Sequence, residues 1–542
     1  MPNRYFQAGV VTQTIENQVP DAMVSRRDDL FIGLIVFLGG MTSIGTELSL
    51  SRLIAPYFGD STFIWANVIG LTMTFLAIGY WLGGRLADRY PRLWAFYSIT
   101  ATAAVWCALL PYLAHPILEF SLDAFEDVAV GAFYGSLLGV LLLLSVPITL
   151  LGFVSPYAIR LRMASVDRAG DVAGRTYALG TVGSIAGSFL PVLLLIPWVG
   201  TRRTFLILGG MLFIPSLIGL LSLRAMPQAA LMTAMAVAVG VIAVVNAGGA
   251  IRPAQGGTLV YETESGDNYI QVVQDGSAYE LSLNEGHATH SIYDPTQPLT
   301  QGPWDYFMVA PLFNSLAAPA TVDNALLIGL AGGTVSKQLT AAYGPVPIDG
   351  VEIDATIANV GRDWFDMNEP NLNVIIDDGR YVLRTSDETY DLIGVDAYKQ
   401  PYIPFQLTTR EFFTEVADHL TPEGVTVINV GRTETDYRLV EAISSTMLDV
   451  FPNVYLIDTE RYTNTIVVGT MQPTSLENFA ASVDLQPVGS IIRTVGKSSL
   501  ATGNIREVTE VSTVFTDDHA PVEWVVDQII LNAAREETAE NP

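Results

Sequence analysis

Four consecutive stretches decide the fold: ALLIGLAGGT (325–334), VEIDATIANVGRDWF (351–365), NVIIDDGRYVL (373–383) and YDLIGVDAY (390–398). Each is a short apolar run that ends on a glycine or an acidic residue, and helical patterns separate them. Gly329, Gly332 and Gly333 fall between a strand and a helix, where bare backbone can approach a ligand closely. Glu352 closes the next strand about 20 residues on, placed to accept hydrogen bonds from ribose hydroxyls. Asp377 and Asp378 end a third strand, where an adenine amino group can be held. Asp396 ends a fourth and projects towards the same crevice. The order predicts an adenosyl ligand at the carboxyl edge of a parallel sheet. Blander roles exist for the same residues. Glu352 or Asp354 could cap the following helix, Asp377 and Asp378 could be turn residues before Gly379, and Asp396 could cap a helix or hold loop backbone.

Working outward, the 542 residues exceed one ordinary domain. Half are apolar and only 15% are charged, with the apolar excess confined to the first half. The net charge is −27, and lysine occurs only at Lys337, Lys399 and Lys497. So acidic and lysine-poor a surface argues against binding a nucleic-acid backbone. A single cysteine, Cys107, excludes a disulfide framework and a cysteine zinc site.

Runs long enough to cross about 30 Å of hydrocarbon lie near 30–54, 62–84, 93–114, 129–159, 176–198, 203–223 and 228–247. A charged tail of residues 1–28 precedes the first, which is therefore not read as a cleaved signal peptide. A helical bundle in the lipid bilayer is expected over 29–248. Arg4, Arg26 and Arg27, then Arg85, Arg89 and Arg92, then Arg160, Arg162, Arg168 and Arg175 mark one side. The loop with Glu119, Asp123, Glu126 and Asp127 marks the other, giving a cytoplasmic amino terminus. Seven crossings from there would put the second half outside, yet a nucleoside cofactor is cytosolic. A partial crossing or a re-entrant turn at Pro147 would reconcile the two, and the cytoplasmic side is preferred for the soluble half. Glu47 and Arg52 inside the first span are functional candidates, since charge within a bilayer is costly. A pair that only fixes helix packing is the alternative.

A Gly/Pro/Ala linker near 248–256 ends the apolar half. Over 256–300, alternating residues around the turns SGDN and QDGS predict a small antiparallel β unit. From 301 to 535 strands and helices alternate, the pattern of a parallel α/β, Rossmann-like domain of methyltransferase type. His287 and His290 are spaced like a metal pair, but no further ligand cluster completes a site, and no metal is expected. His519 reads as local loop structure.

On these residues the soluble half resembles the spermidine synthase family of aminopropyltransferases. VEIDATIANVGRDWF resembles that family's ribose-binding strand and helix, NVIIDDGRYVLRTSDETYDLIGVDAY its adenine-binding and catalytic strands, and VFTDDHAPVE a segment near its end. GTELSLSRLIAPYFG, IGYWLGGRLADR and RTYALGTVGSIAGSFLP resemble the membrane portion of the family's fused members. GGRLADR is also similar to a loop motif of major facilitator transporters.

The resemblance implies transfer of an aminopropyl group from decarboxylated S-adenosylmethionine to an amine, releasing methylthioadenosine without a metal. Glu352 would hold the ribose, Asp377 and Asp378 the adenine side. Asp396 would orient and deprotonate the attacking amine, and Tyr398, Tyr269 and Gln271 would contact the substrate. A homodimer is compatible with it. The chain departs from the family pattern at Gly332, at Thr289 and at Lys399, where an Asp, a Gln and a second carboxylate are expected. A cation at Lys399 would repel a diamine. Two other readings stand beside the first: a methyltransferase-like enzyme using S-adenosylmethionine, and a transporter or sensor whose soluble half binds a nucleoside without turnover.

Overall fold

Apolar composition makes helices in the first half, because only an intrasegment ladder satisfies backbone groups among apolar side chains. The computed structural model describes residues 25–58, 62–124, 131–163, 168–246, 254, 256–284, 288–314, 320–399, 401–501 and 504–540. The helices are α1 (Arg26–Phe58), α2 (Thr62–Arg89), α3 (Leu93–Asp123), α4 (Gly131–Gly152), α5 (Val154–Arg162), α6 (Ala169–Leu190), α7 (Ile196–Val199), α8 (Thr201–Ser222) and α9 (Met226–Val245). With α4–α5 and α6–α7 each nearly continuous, seven helical units are long and apolar enough to cross a membrane. The helix runs on through Pro147, so the fourth unit contains no re-entrant turn.

The glycine-rich segments are packing surfaces. A Cβ on Gly183 or Gly187 of α6 would collide with the carbonyls of Phe37 and Met41 on α1. One on Gly79 of α2 would meet the backbone of Thr149 and Gly152 on α4. Small residues thus let these helix pairs approach backbone to backbone. Large apolar side chains such as Trp81, Phe189 and Ile214 remain on the bundle's outer surface.

Paired side chains define the two ends of the bundle. At one, Arg162 Nε donates to Asp29 Oδ1 at 2.6 Å and Arg160 Nε lies 2.9 Å from Asp88 Oδ1. At the other, the Tyr57 hydroxyl and His115 Nδ1 are 2.9 Å apart. The α1–α2 and α7–α8 junctions and the exit of α9 share that second end, so the soluble half lies opposite the amino terminus.

Four strands, β1 (Thr258–Glu264), β2 (Tyr269–Asp275), β3 (Ala278–Leu283) and β4 (Thr289–Tyr293), pair in order as an antiparallel sheet. A mixed eight-stranded sheet follows. Its strands are β5 (Ala325–Ile328), β6 (Ile348–Glu352), β7 (Leu372–Ile376), β8 (Tyr390–Val395), β9 (Leu420–Gly431), β10 (Asn453–Asp458), β11 (Asn464–Thr470) and β12 (Ile505–Glu507). Its helices are α10 (Thr334–Tyr343), α11 (Ala355–Trp364), α12 (Gly379–Thr385), α13 (Arg410–Asp418), α14 (Arg438–Leu448), α15 (Leu476–Leu485), α16 (Ile491–Ala501) and α17 (Val522–Glu540).

The strand order is β12-β10-β11-β9-β8-β5-β6-β7. Strands β5 to β9 are parallel, as the alternation predicts. The β10, β11 and β12 edge is antiparallel instead. A short turn rather than a crossover helix joins β10 to β11, so the chain reverses there. The order turns back at β5, whose neighbours are β8 and β6, and such a switch point opens a crevice at the strands' carboxyl ends. The β unit packs over that crevice through Ile270, Val272 and Leu281 against Ile357, Val360 and Phe365 of the α11 region.

Candidate active site

Gly329 leaves β5 with φ +88°, and a Cβ there would lie 2.6 Å from the Asp396 carbonyl carbon. Only glycine lets the β5 turn pass so close to the end of β8. Gly333 is also left-handed, at φ +83°, and starts α10. The Gly332 N–H donates to Ser291 Oγ at 2.8 Å. Gly329 forms part of the cavity wall, whereas Gly332 and Gly333 shape the loop behind it.

A cavity of about 500 Å³ occupies the crevice, a size that suits a nucleoside-sized ligand. Glu352, Asp377, Asp378 and Asp396 all line it. Glu352 accepts from Ala331 N–H at 2.9 Å through Oε2 and from Asp354 N–H at 3.0 Å through Oε1. These bonds fix the carboxyl while leaving each oxygen a second lone pair. Burial pushes its pKa up to about 7, against the pull of the two amides.

The neighbouring acids divide their roles. Asp354 caps α11 through Thr356 N–H at 2.9 Å, with Ser265 and Asn268 also donating to it. Asp378 caps α12 through Tyr381 N–H at 2.9 Å. Asp377 is exposed, and its Oδ1 takes the Asp378 N–H at 2.8 Å. Each of the pair has its Oδ1 engaged in this way, and Asp377 is the more exposed of the two.

Asp396 stands where the first cavity meets a second of about 380 Å³. Asn429 Nδ2 donates to its Oδ1 at 2.9 Å. Burial raises its pKa to about 6, partly offset by the Asn429 and Trp304 hydrogen bonds. Tyr398 lines both cavities, but its hydroxyl is committed to β9, taking Gly431 N–H at 2.8 Å and donating to the Asn429 carbonyl at 3.0 Å. Tyr269 and Gln271 are buried on β2, where Gln271 Nε2 donates to the Tyr269 hydroxyl at 2.9 Å. Neither lines either cavity.

Apolar side chains wall the second cavity, Trp304, Tyr462, Val526 and Ile529 among them, with Asn464 and Arg432 adding polarity. Among the described residues Asp396 is its one carboxylate. Lys399 lies at the rim of the first cavity. The first cavity is thus lined by four of the acids named from the sequence, and the second is poor in acid.

Two residues in the walls carry no local motif. His290 lines both cavities, and its Nε2 has no partner among the described residues. Burial lowers its pKa to about 4, leaving a neutral imidazole. His287 lies outside the described residues, and no group of three metal-ligating side chains occurs among those described. Trp65, the other, comes from α2 in the bundle.

Glu47 is buried in α1 with Oε2 unpartnered among the described residues, and Arg52 is half-buried. No ion pair joins the two there. His519 closes a small bridge with Thr516, as local structure.

The sheet order and the crevice define a Rossmann-like domain of methyltransferase type. Residues 318–479 match the family model of the spermine/spermidine synthase domain. A Bifidobacterium longum protein named as a probable polyamine aminopropyl transferase is 34% identical over 308 residues, covering 51% of this chain and 65% of that one. A polyamine aminopropyltransferase of Vibrio vulnificus is 33% identical over 137 residues, 24% of this chain and 45% of its own length. A solved chain described as a probable spermidine synthase from Corynebacterium glutamicum is 20% identical with a TM-score of 0.37, covering 49% of this chain and 96% of that one.

Proposed function

We propose that the chain is a membrane-tethered aminopropyltransferase. It would move an aminopropyl group from decarboxylated S-adenosylmethionine to an amine and release methylthioadenosine. One observation carries the reading: Asp396 stands at the junction of an acid-lined, nucleoside-sized cavity and a second cavity able to hold an acceptor. The names of the Bifidobacterium and Vibrio relatives support the same reaction class.

The co-substrate would supply an electrophilic methylene on its sulfonium, already a good leaving group. This chain's residues then have three tasks. Glu352 holds the ribose hydroxyls, and Asp377 takes the adenine amino group. Asp396 receives the proton that the amine loses as its lone pair forms the new C–N bond and the C–S bond breaks. Holding both partners in line is the larger share of such catalysis, and proton removal adds about 10²–10⁴-fold.

A single carboxylate in the second cavity disfavours a dication. An amine with one positive charge and an apolar body fits its wall better than a short diamine does. The test is release of methylthioadenosine by the purified full-length chain, supplied with decarboxylated S-adenosylmethionine and a panel of amines. Product with at least one amine is expected. No product with any of them would overturn the assignment, and calorimetric preference for S-adenosylmethionine would favour a methyltransferase.

A second reading, a nucleoside-binding sensor without turnover, is favoured by charge placement. Arg27, Arg89, Arg92, Arg160 and Arg162 gather at the bundle end opposite the soluble half. Under the positive-inside rule that end is cytoplasmic, which puts the cavity on the outer face. A reporter fused to the carboxyl terminus decides the side. A cytoplasmic signal removes the ground for this second reading.

A further inference from the structure

The membrane bundle does more than carry the soluble half, because part of it reaches the cavity. Trp65 lies near the start of α2 and is half-buried, and it lines the same cavity as Glu352 and Asp377. Two large apolar side chains of the soluble half stand in that wall: Ile353, 62% exposed, and Phe405, 42% exposed. A water-facing apolar rim on a soluble domain is ordinarily covered by something. Here an indole from the bundle lines the same cavity.

The juxtaposition is held by a second contact between the halves. Glu264, the last residue of β1, accepts the Thr201 N–H at 2.8 Å. Thr201 is the first residue of α8, so the carboxylate meets the positive end of that helix. Gly200 allows the approach, since a Cβ there would come within 3.0 Å of the same carboxylate. The β unit is therefore docked at the bundle end from which Trp65 enters the cavity.

We propose that Trp65 is a ligand-binding residue of the nucleoside site, so that the membrane bundle supplies one wall of that site. Its indole offers an aromatic face to a planar adenine nucleoside, and the ligand bridges the two halves of the chain. This rests on the adenosyl reading above, although not on turnover.

The experiment is calorimetric titration of the full-length chain in detergent with methylthioadenosine, for the wild type and for W65A, W65F and W198A. Losing an aromatic surface of this kind weakens binding by about tenfold or more. W65A should show that loss, W65F should stay within about threefold of wild type, and W198A should match wild type. Trp198 is 80% exposed and lines neither cavity, which makes it the control for indole loss elsewhere in the bundle. Thermal midpoints of the four proteins separate loss of binding from loss of fold. Wild-type affinity in a folded W65A protein overturns the proposal. Absence of binding by the wild type overturns the nucleoside reading and this one with it.

Discussion

Asn429 Nδ2 donates to Asp396 Oδ1 at 2.9 Å, and Asn429 Oδ1 itself takes an N–H of Asn464 at 2.9 Å. This relay across the ends of β8, β9 and β11 orients the Asp396 carboxylate, which lines both cavities. Replacing Asp396 by Asn should lower aminopropyl transfer by about 10²–10⁴-fold while methylthioadenosine binding changes little. Asn429→Ala should cost less and act mainly on kcat, because it loosens the base without removing it. Equal activity of D396N and wild type would remove Asp396 from the chemistry.

The raised pKa of Asp396 sets the pH dependence. Its carboxyl must be ionised to take a proton, and burial puts that ionisation at about 6. kcat/KM should fall about tenfold per pH unit below that point and level off above it.

Stability runs the other way for the same group. Asp396 and Glu352 keep their protons in the folded chain at pH values where the unfolded chain, near its ordinary values of 3.8 and 4.5, has released them. Their contribution is complete at low pH and is lost as pH rises through about 6 and about 7. Thermal midpoints measured from pH 4 to 8 should decline less steeply in D396N than in wild type.

Gly329→Ala tests the close crossing at the cavity floor. An L-residue at its positive φ costs about 1–2 kcal/mol, and the added methyl would push the β5 turn off Asp396. Affinity for methylthioadenosine should drop more than tenfold, read by calorimetry. Unchanged affinity would mean that the turn lies away from the ligand.

Arg380 follows the Asp378–Gly379 turn and ties it to two distant acids. Its Nη2 donates to Glu415 Oε1 at 2.8 Å, and its Nη1 to Asp517 Oδ1 at 2.7 Å. The pair of carboxylates holds the guanidinium pKa above its ordinary range. Arg380→Ala should destabilise the soluble half by about 3 kcal/mol, since two acids lose their shared cation. Arg380→Lys should recover only part, because an ammonium cannot bridge both in a plane. Thermal unfolding measures both.

Much of this was legible beforehand because it is local. Apolar run length marked the spans, and alternation marked the β unit. The acids at the ends of β6, β7 and β8 were visible because a strand that ends on a charged residue presents it at the sheet edge. Other features were not. Nothing local separates Glu352 from Asp354, or Asp377 from Asp378, since every one of these acids could cap a helix. The fold separates them by where the helices start, so that Asp354 caps α11 through Thr356 N–H and Asp378 caps α12 through Tyr381 N–H. The antiparallel β10–β12 edge was likewise hidden, because pairing direction depends on where the chain turns back.

By itself, then, the sequence determined the elements and the acids at the strand ends, both products of short-range pattern. The tertiary structure alone decided which acids cap helices, that His290 and Asp396 line the same two cavities, and that Trp65 reaches the pocket from the bundle. The physical reason is distance along the chain. Trp65 and Glu352 line one cavity only because helix packing and the β unit's docking on Thr201 bring one bundle end against the crevice, and no residue pattern within either segment records that juxtaposition.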